Sequence, residues 1–369
     1  MPAFRPFGLA LSFCAFLLLA GCDPSSDPAE DRAAVRAAML TDLADRVIAT
    51  SHASFAEQAA TLEAAVIALQ ATPSQATLDA ARAEWLEAAR QFRRLSALNL
   101  PGVRFGLYHN RISTWPADTE RIEDRLATES TFDLALIQRQ GSNLRGLPAL
   151  EYFLFDSDDA SSLGTNRLEY AAAVATDISG QADALLEKWS RDGGNELGMF
   201  EAADTEGRNF QSSISRIVNE MAMVAEDLRY VKVGRPLGIA RDPEDPNSNP
   251  KPELVESPFA EESIALFRED LAGLRALITA DGGTGLDDYL ETLDAELDGQ
   301  PFAAALLAQL DATDQAAQAV TPSLRQDIAA STDASQALYD ETITLLRLIK
   351  TDMANWLGVS ITFSDNDGD

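Results

Sequence analysis

Thiols are almost absent: the 369 residues contain two cysteines, Cys14 and Cys22. Both fall in the first 22 residues, so the chain beyond them has no thiol for a disulfide, a cysteine-ligated metal or a cysteine nucleophile. Histidine is equally scarce, with only His52 and His109, and neither stands at a recognisable metal-ligand spacing. There is no His-Glu-x-x-His, no Gly-rich phosphate loop and no Gly-x-Ser-x-Gly elbow. Basic residues are in deficit, with 29 Lys+Arg against 59 Asp+Glu and a net charge of −30. Such a chain lacks the basic surface that displaces counterions from phosphates, which excludes a nucleic-acid partner. No stretch alternates with period two for long enough to propose a sheet.

What is present is helical patterning over a globular composition, 46% hydrophobic and 24% charged. Val35, Met39, Leu43 and Val47 recur at i+4. Ile214, Ile217, Met221, Val224, Leu228 and Val231 form a second stripe. Ile264, Phe267, Leu271, Leu274 and Ile278 form a third, and Leu338, Thr342, Leu345, Ile349, Met353 and Trp356 a fourth. Thr72-Pro73, Gly141, Asp156–Gly164, Gly193-Gly194 and Gly282-Gly283 punctuate them. Ser257-Pro258 and Thr321-Pro322 each read as an N-cap followed by proline at the first helical position. The expectation is an all-α protein of two helical bundles, residues 31–158 and 159–360, with a long Pro-rich crossover between Gly234 and Pro258 and a polar tail at 361–369.

The start of the chain reads as an address. An apolar run from Phe7 to Ala20 is too short for a comfortable membrane span and ends in Leu19-Ala20-Gly21-Cys22, a bacterial lipobox. Residues 1–21 are therefore expected to be a lipoprotein signal peptide, Cys22 to carry the lipid, and residues 22–30 to form a tether. The expected location is the bacterial periplasm, anchored to the inner or outer membrane.

One segment carries a chemical anomaly. Arg145-Gly146-Leu147-Pro148-Ala149-Leu150-Glu151-Tyr152-Phe153-Leu154-Phe155 is nearly all apolar, yet places one carboxylate at its centre. If this is a buried helix, Glu151 must be paired, bound to a cation or protonated. Arg90 and Arg145 are candidates to pair with it or with a ligand anion. Trp115 is the candidate cleft wall.

The same segment resembles the Gly-x-His-x-x-Glu signature of the imelysin-like family, through Gly146, Glu151 and Tyr152. Trp85-Leu86-Glu87-Ala88-Ala89-Arg90, Ile112-Ser113-Thr114-Trp115-Pro116, Lys232–Gly238 with Val255-Glu256-Ser257, and the ending Leu357–Asp369 are also similar to family segments, in the same order. The resemblance implies a periplasm-facing, often lipid-anchored protein of two bundles with an internal pseudo-repeat. It places the site near the signature, between the bundles, and implies either peptidase activity or a role in iron regulation or uptake. It implies a metal near Glu151, with iron or another divalent metal as the cofactor and a metal-uptake or envelope protein as partner. Pro148 stands where the signature has histidine, so a His-x-x-Glu metal pair cannot form. That favours a non-catalytic metal-related binding protein over a metallopeptidase or a scaffold holding a partner protein in the cleft. His109 is the candidate replacement ligand, and Arg90, Trp115, Arg145, Gly146, Pro148 and Tyr152 are the candidate ligand-binding residues.

Overall fold

The computed structural model describes residues 1, 28–157, 159–203, 212–239 and 249–362. The expected signal peptide beyond Met1, Cys22, most of the expected tether, nearly all of the expected polar tail and part of the Pro-rich crossover lie outside the described residues. The protein is all-α; strand among the described residues is confined to the pairing of Glu296–Leu297 with Gln300–Pro301. The principal helices are α1 (Pro28–Asp42), α2 (Thr50–Ala71), α3 (Gln75–Arg94), α4 (Gly146–Phe155), α5 (Thr165–Trp189), α6 (Ser213–Glu226), α7 (Ser263–Thr279), α8 (Phe302–Ala319) and α9 (Asp333–Arg347).

The apolar stripes explain these elements and their irregularities. Met39, Leu43 and Val47 are buried on one continuous run from α1 into a π-helical segment, Leu43–Ala49. A strict four-residue repeat drifts around an α-helix of 3.6 residues per turn, and the wider π turn keeps such a stripe on one face. The same device follows α6 at Asp227–Gly234 and α9 at Leu348–Met353. Ser74 caps α3 through a capping box with Thr77, directly after the Thr72-Pro73 break. The two expected Ser/Thr-Pro starts are corrected. Helix α7 begins at Ser263, after a turn in which Ser257 has a positive φ of 54°, and the helix after Thr321-Pro322 begins at Leu324, capped by Ser323.

Helices α2, α3, α4 and α5 pack together, and α6, α7, α8 and α9 form a second group. The 156–164 break, expected to divide the bundles, is followed by α5, which lies along α2 and α4 on the N-terminal side. The groups meet where α7 crosses α3, and one continuous apolar core runs through both. At that crossing a Cβ on Gly273 would stand 2.7 Å from the Arg94 carbonyl oxygen, so the helices approach to backbone contact.

Helix α4 carries the anomalous segment and is buried almost throughout. Its ends are held by side chains from its neighbours. Trp85 Nε1 donates to the Leu147 carbonyl at 2.9 Å, Tyr170 Oη to Leu144 at 2.9 Å, and Arg82 Nε to Leu154 at 2.8 Å. Gly146 opens the helix at φ +78°, with a Cβ position only 2.4 Å from the Ile112 carbonyl oxygen. Gly146→Ala therefore combines left-handed strain with a backbone clash. It is expected to destabilise the fold by about 2 kcal/mol or more, measurable as a lowered urea midpoint; an unchanged midpoint would show that α4 shifts without cost.

Candidate functional site

Glu151 is 2% exposed, yet is not paired with an arginine. Its Oε1 accepts three hydrogen bonds from one turn of the chain before α7: Ser257 Oγ at 2.9 Å, Phe259 N at 3.0 Å and Ala260 N at 2.9 Å. The left-handed backbone at Ser257 belongs to this turn, which brings its hydroxyl and the two amides to one oxygen. Burial pushes the Glu151 carboxyl up to about 7; the three donors oppose that shift, and the neighbouring Glu256 carboxylate adds to it.

Beside Glu151 lies a cavity of about 20 Å³, lined by Trp85, Arg93, Trp115, Pro148, Glu256 and Ser257 among others. That volume holds about one water molecule. A buried ionic cluster forms its polar wall. Arg93 pairs with Glu256 and donates from Nη2 to Ser113 Oγ at 3.1 Å. Lys232, in the π segment after α6, reaches Glu256 Oε2 at 2.8 Å and also pairs with Asp270 of α7. Burial works to raise Glu256, but Arg93 and Lys232 outweigh it and hold that carboxyl below its usual range. For Asp270, burial wins and the shift is upward despite Lys232 and Arg93. Nearby Asp227 is raised to about 6, first by burial, with Asp270 adding to the shift and Lys232 opposing it. Arg93 and Lys232 already face Glu256, Asp270 and Asp227, so neither is a dedicated counter-ion for Glu151, in keeping with the upward shift of its carboxyl.

The sequence candidates divide clearly. Pro148 and Trp115 line the cavity with Glu151, and Gly146 sets the start of the helix that carries it. Arg145, expected to pair with Glu151, instead pairs with Asp177, both side chains being nearly inaccessible, with Nε 2.6 Å from Oδ2. Arg90 does not reach Glu151 either; its carboxylate neighbour is Glu262 at 3.7 Å. Tyr152 does not line the cavity: its hydroxyl donates to Glu123 at 2.7 Å beneath the Arg167 guanidinium, and its ring lies 5.1 Å from that of Phe259 in the turn that holds Glu151. Adjacent helical residues diverge by about 100°, so a helix that buries Glu151 at the seam turns Tyr152 to another face.

His109 is absent from the cavity wall. Its ring lies 5.2 Å from that of Phe92, and its Nε2 is sealed without a partner. It does not replace the missing signature histidine. Sequence reading missed Ser257, Phe259, Ala260, Arg93, Lys232 and Asp270 as site residues. Asp270 left a signal, since it interrupts the buried stripe of Phe267, Leu271 and Leu274; backbone amides leave none.

The imelysin family, peptidase class M75, matches residues 48–352. The chain belongs to the imelysin family. It is 24% identical over 147 residues to iron-regulated protein A of Synechococcus elongatus, a match covering 40% of this chain and 38% of that relative. The same fold occurs in a crystal structure of an imelysin-like protein from Psychrobacter arcticum, with TM-score 0.74 and 19% identity over 90% of this chain and 98% of that one. A protein from Parabacteroides distasonis assigned as an iron-regulated protein A precursor superposes with TM-score 0.70 and 17% identity over 90% and 97%.

A metal centre of the imelysin signature type does not fit these residues. Pro148 offers no side-chain ligand atom, one of the two Glu151 carboxylate oxygens already accepts three protein donors, and Glu256 is tied to Arg93 and Lys232. Among the described residues no three His, Cys, Asp or Glu side chains converge as a metal site, whereas metal-activated hydrolysis needs several protein ligands and an open position.

Proposed function

We propose that this imelysin-family chain works by binding rather than by hydrolysis, in an iron-related process, and that Glu151 fastens the second helical group to the first instead of holding a metal ion. The observation that carries this reading is the use of Glu151 Oε1 by Ser257, Phe259 and Ala260. The iron connection is supported by the names of the relatives, iron-regulated protein A among them. Periplasmic location and attachment through lipid on Cys22 are supported by the lipobox alone. Labelling cells with a tagged fatty acid is expected to mark the wild type and not Cys22→Ala; equal labelling would remove the anchor.

Glu151→Gln separates the two roles of the carboxyl. The folded group titrates near 7 and an unfolded glutamate near 4.5. The folded chain therefore binds the extra proton between those values, and stability falls as pH rises through that window. The loss amounts to about 3 kcal/mol by pH 8. The isosteric amide keeps an acceptor for the three donors and is expected to flatten the stability–pH slope between pH 5 and 8 by close to one proton. Cleavage of an unfolded protein substrate with added zinc, iron or calcium is expected to be nil in both proteins. Chelator-sensitive cleavage that Glu151→Gln abolishes would overturn the proposal in favour of a metallopeptidase.

A further inference from the structure

An open groove of about 480 Å³ lies away from Glu151, between α3, α7 and α8. Its volume falls in the range of small-molecule sites, about 300–1,000 Å³. Four arginines line it: Arg90 and Arg94 from α3, Arg268 and Arg275 from α7. The positions are one turn apart on α3 and two turns apart on α7, so both pairs project to the same side. Between them the floor is made by Ala265 and Ala272, whose small side chains leave the guanidinium groups standing as walls.

These arginines are oriented but far from saturated. Arg268 is held to Asp314 by two contacts, Nε at 2.6 Å and Nη2 at 3.2 Å. Arg94 Nε meets Glu269 at 2.6 Å, and Arg275 pairs with Asp311. Arg90 stands 3.7 Å from Glu262, beyond hydrogen-bond range. Each guanidinium carries five N–H donors, and these contacts use at most two on any one of them. The lining carboxylates thus act as braces that fix the forks, while donor capacity remains turned to the groove. Four cations stand against three lining carboxylates and Glu262 beside Arg90, a locally balanced groove in a chain whose net charge is −30.

We infer that this groove is a binding site for a small polyanion carrying clustered carboxylate or phosphate oxygens. Planar guanidinium forks pair with two oxygens of such groups at once, with charge-assisted hydrogen bonds stronger than neutral ones. Several anionic groups are needed, because a single charge would only exchange with one brace. The inference is independent of the role of Glu151, since none of the four arginines lines that cavity.

The test is calorimetric titration of the purified full chain with pyrophosphate and with citrate, at ionic strength held constant by sodium chloride. Saturable binding is expected for at least one probe, weakened at least tenfold by Arg90→Gln and by Arg275→Gln and unchanged by Arg125→Gln outside the groove. Binding of citrate alone would identify a polycarboxylate ligand, and of pyrophosphate alone a phosphorylated one. Arg90 has no hydrogen-bonded brace to orphan, so its variant keeps the fold, and coincident melting curves check this. Absence of saturable heat with both probes, or binding that neither groove substitution alters, would overturn the inference.

Discussion

Lys232→Met is expected to lower unfolding stability by about 3–5 kcal/mol. Lys232 Nζ is shared by Glu256 and Asp270, whose side chains are 5% and 1% exposed. Glu256 would keep Arg93, but Asp270 would lose its direct cation partner in an interior that water barely reaches. An uncompensated buried charge is far costlier than a lost surface ion pair. Guanidinium denaturation measures the loss. Adding Asp270→Leu should return a large part of it, because the second change removes the orphaned charge. A loss below 1 kcal/mol in the single variant would mean that Asp270 is already neutral in the folded chain.

The second large effect is acid sensitivity centred on the two histidines. His52 is 1% exposed, donates from Nδ1 to the Ile48 carbonyl at 2.7 Å and lies against Trp189. Burial pushes it down to about 4. Burial also pushes His109 down to about 3, with the charges of His52, Arg93 and Arg104 adding to the shift. An unfolded histidine protonates near 6.5 while these stay neutral in the fold, so their contribution is intact above that value. It is lost as pH falls, by about 3 kcal/mol for His52 alone once pH is well below 4.

The buried acids act in the opposite sense. Glu151 and Glu220 are raised to about 7 and Asp227 to about 6, in each case by burial first. They favour the fold as pH falls, down to about 4.5 for the two glutamates and about 3.8 for Asp227, below which their contribution is constant. Stability is therefore expected to turn over in the acid range, near pH 4–5. His52→Leu should flatten the acid limb by close to one proton, read from denaturation midpoints between pH 6.5 and 3. An unaltered limb would show that His52 charges without unfolding the chain.

The candidate site was legible in one respect and opaque in another. Glu151 announced itself because a lone carboxylate in an apolar helix must be resolved somehow, and Pro148 announced that the resolution is not a His-x-x-Glu metal pair. The resolution itself rests on residues more than a hundred positions away, two of them contributing only backbone amides. Arg145 shows the same limit. Its guanidinium made it a candidate partner for Glu151 or a ligand anion, but its extended backbone at the helix start sends it to Asp177 on α5. Ser257 was visible as a cap-forming residue, and the turn uses that hydroxyl on a carboxylate across the seam instead of on its own helix.

By itself the sequence determined that this protein is all-α, that thiol chemistry beyond residue 22 is excluded, and that one carboxyl would be buried in an apolar helix. Those properties are set by composition and by periodicities within a few helical turns, where each side chain's face follows from its neighbours. Only the tertiary structure decided which donors meet Glu151, which acids share Lys232 and that four arginines enclose one groove. Those outcomes depend on the angle and register at which α3, α4 and α7 cross, and close packing of separated segments sets them.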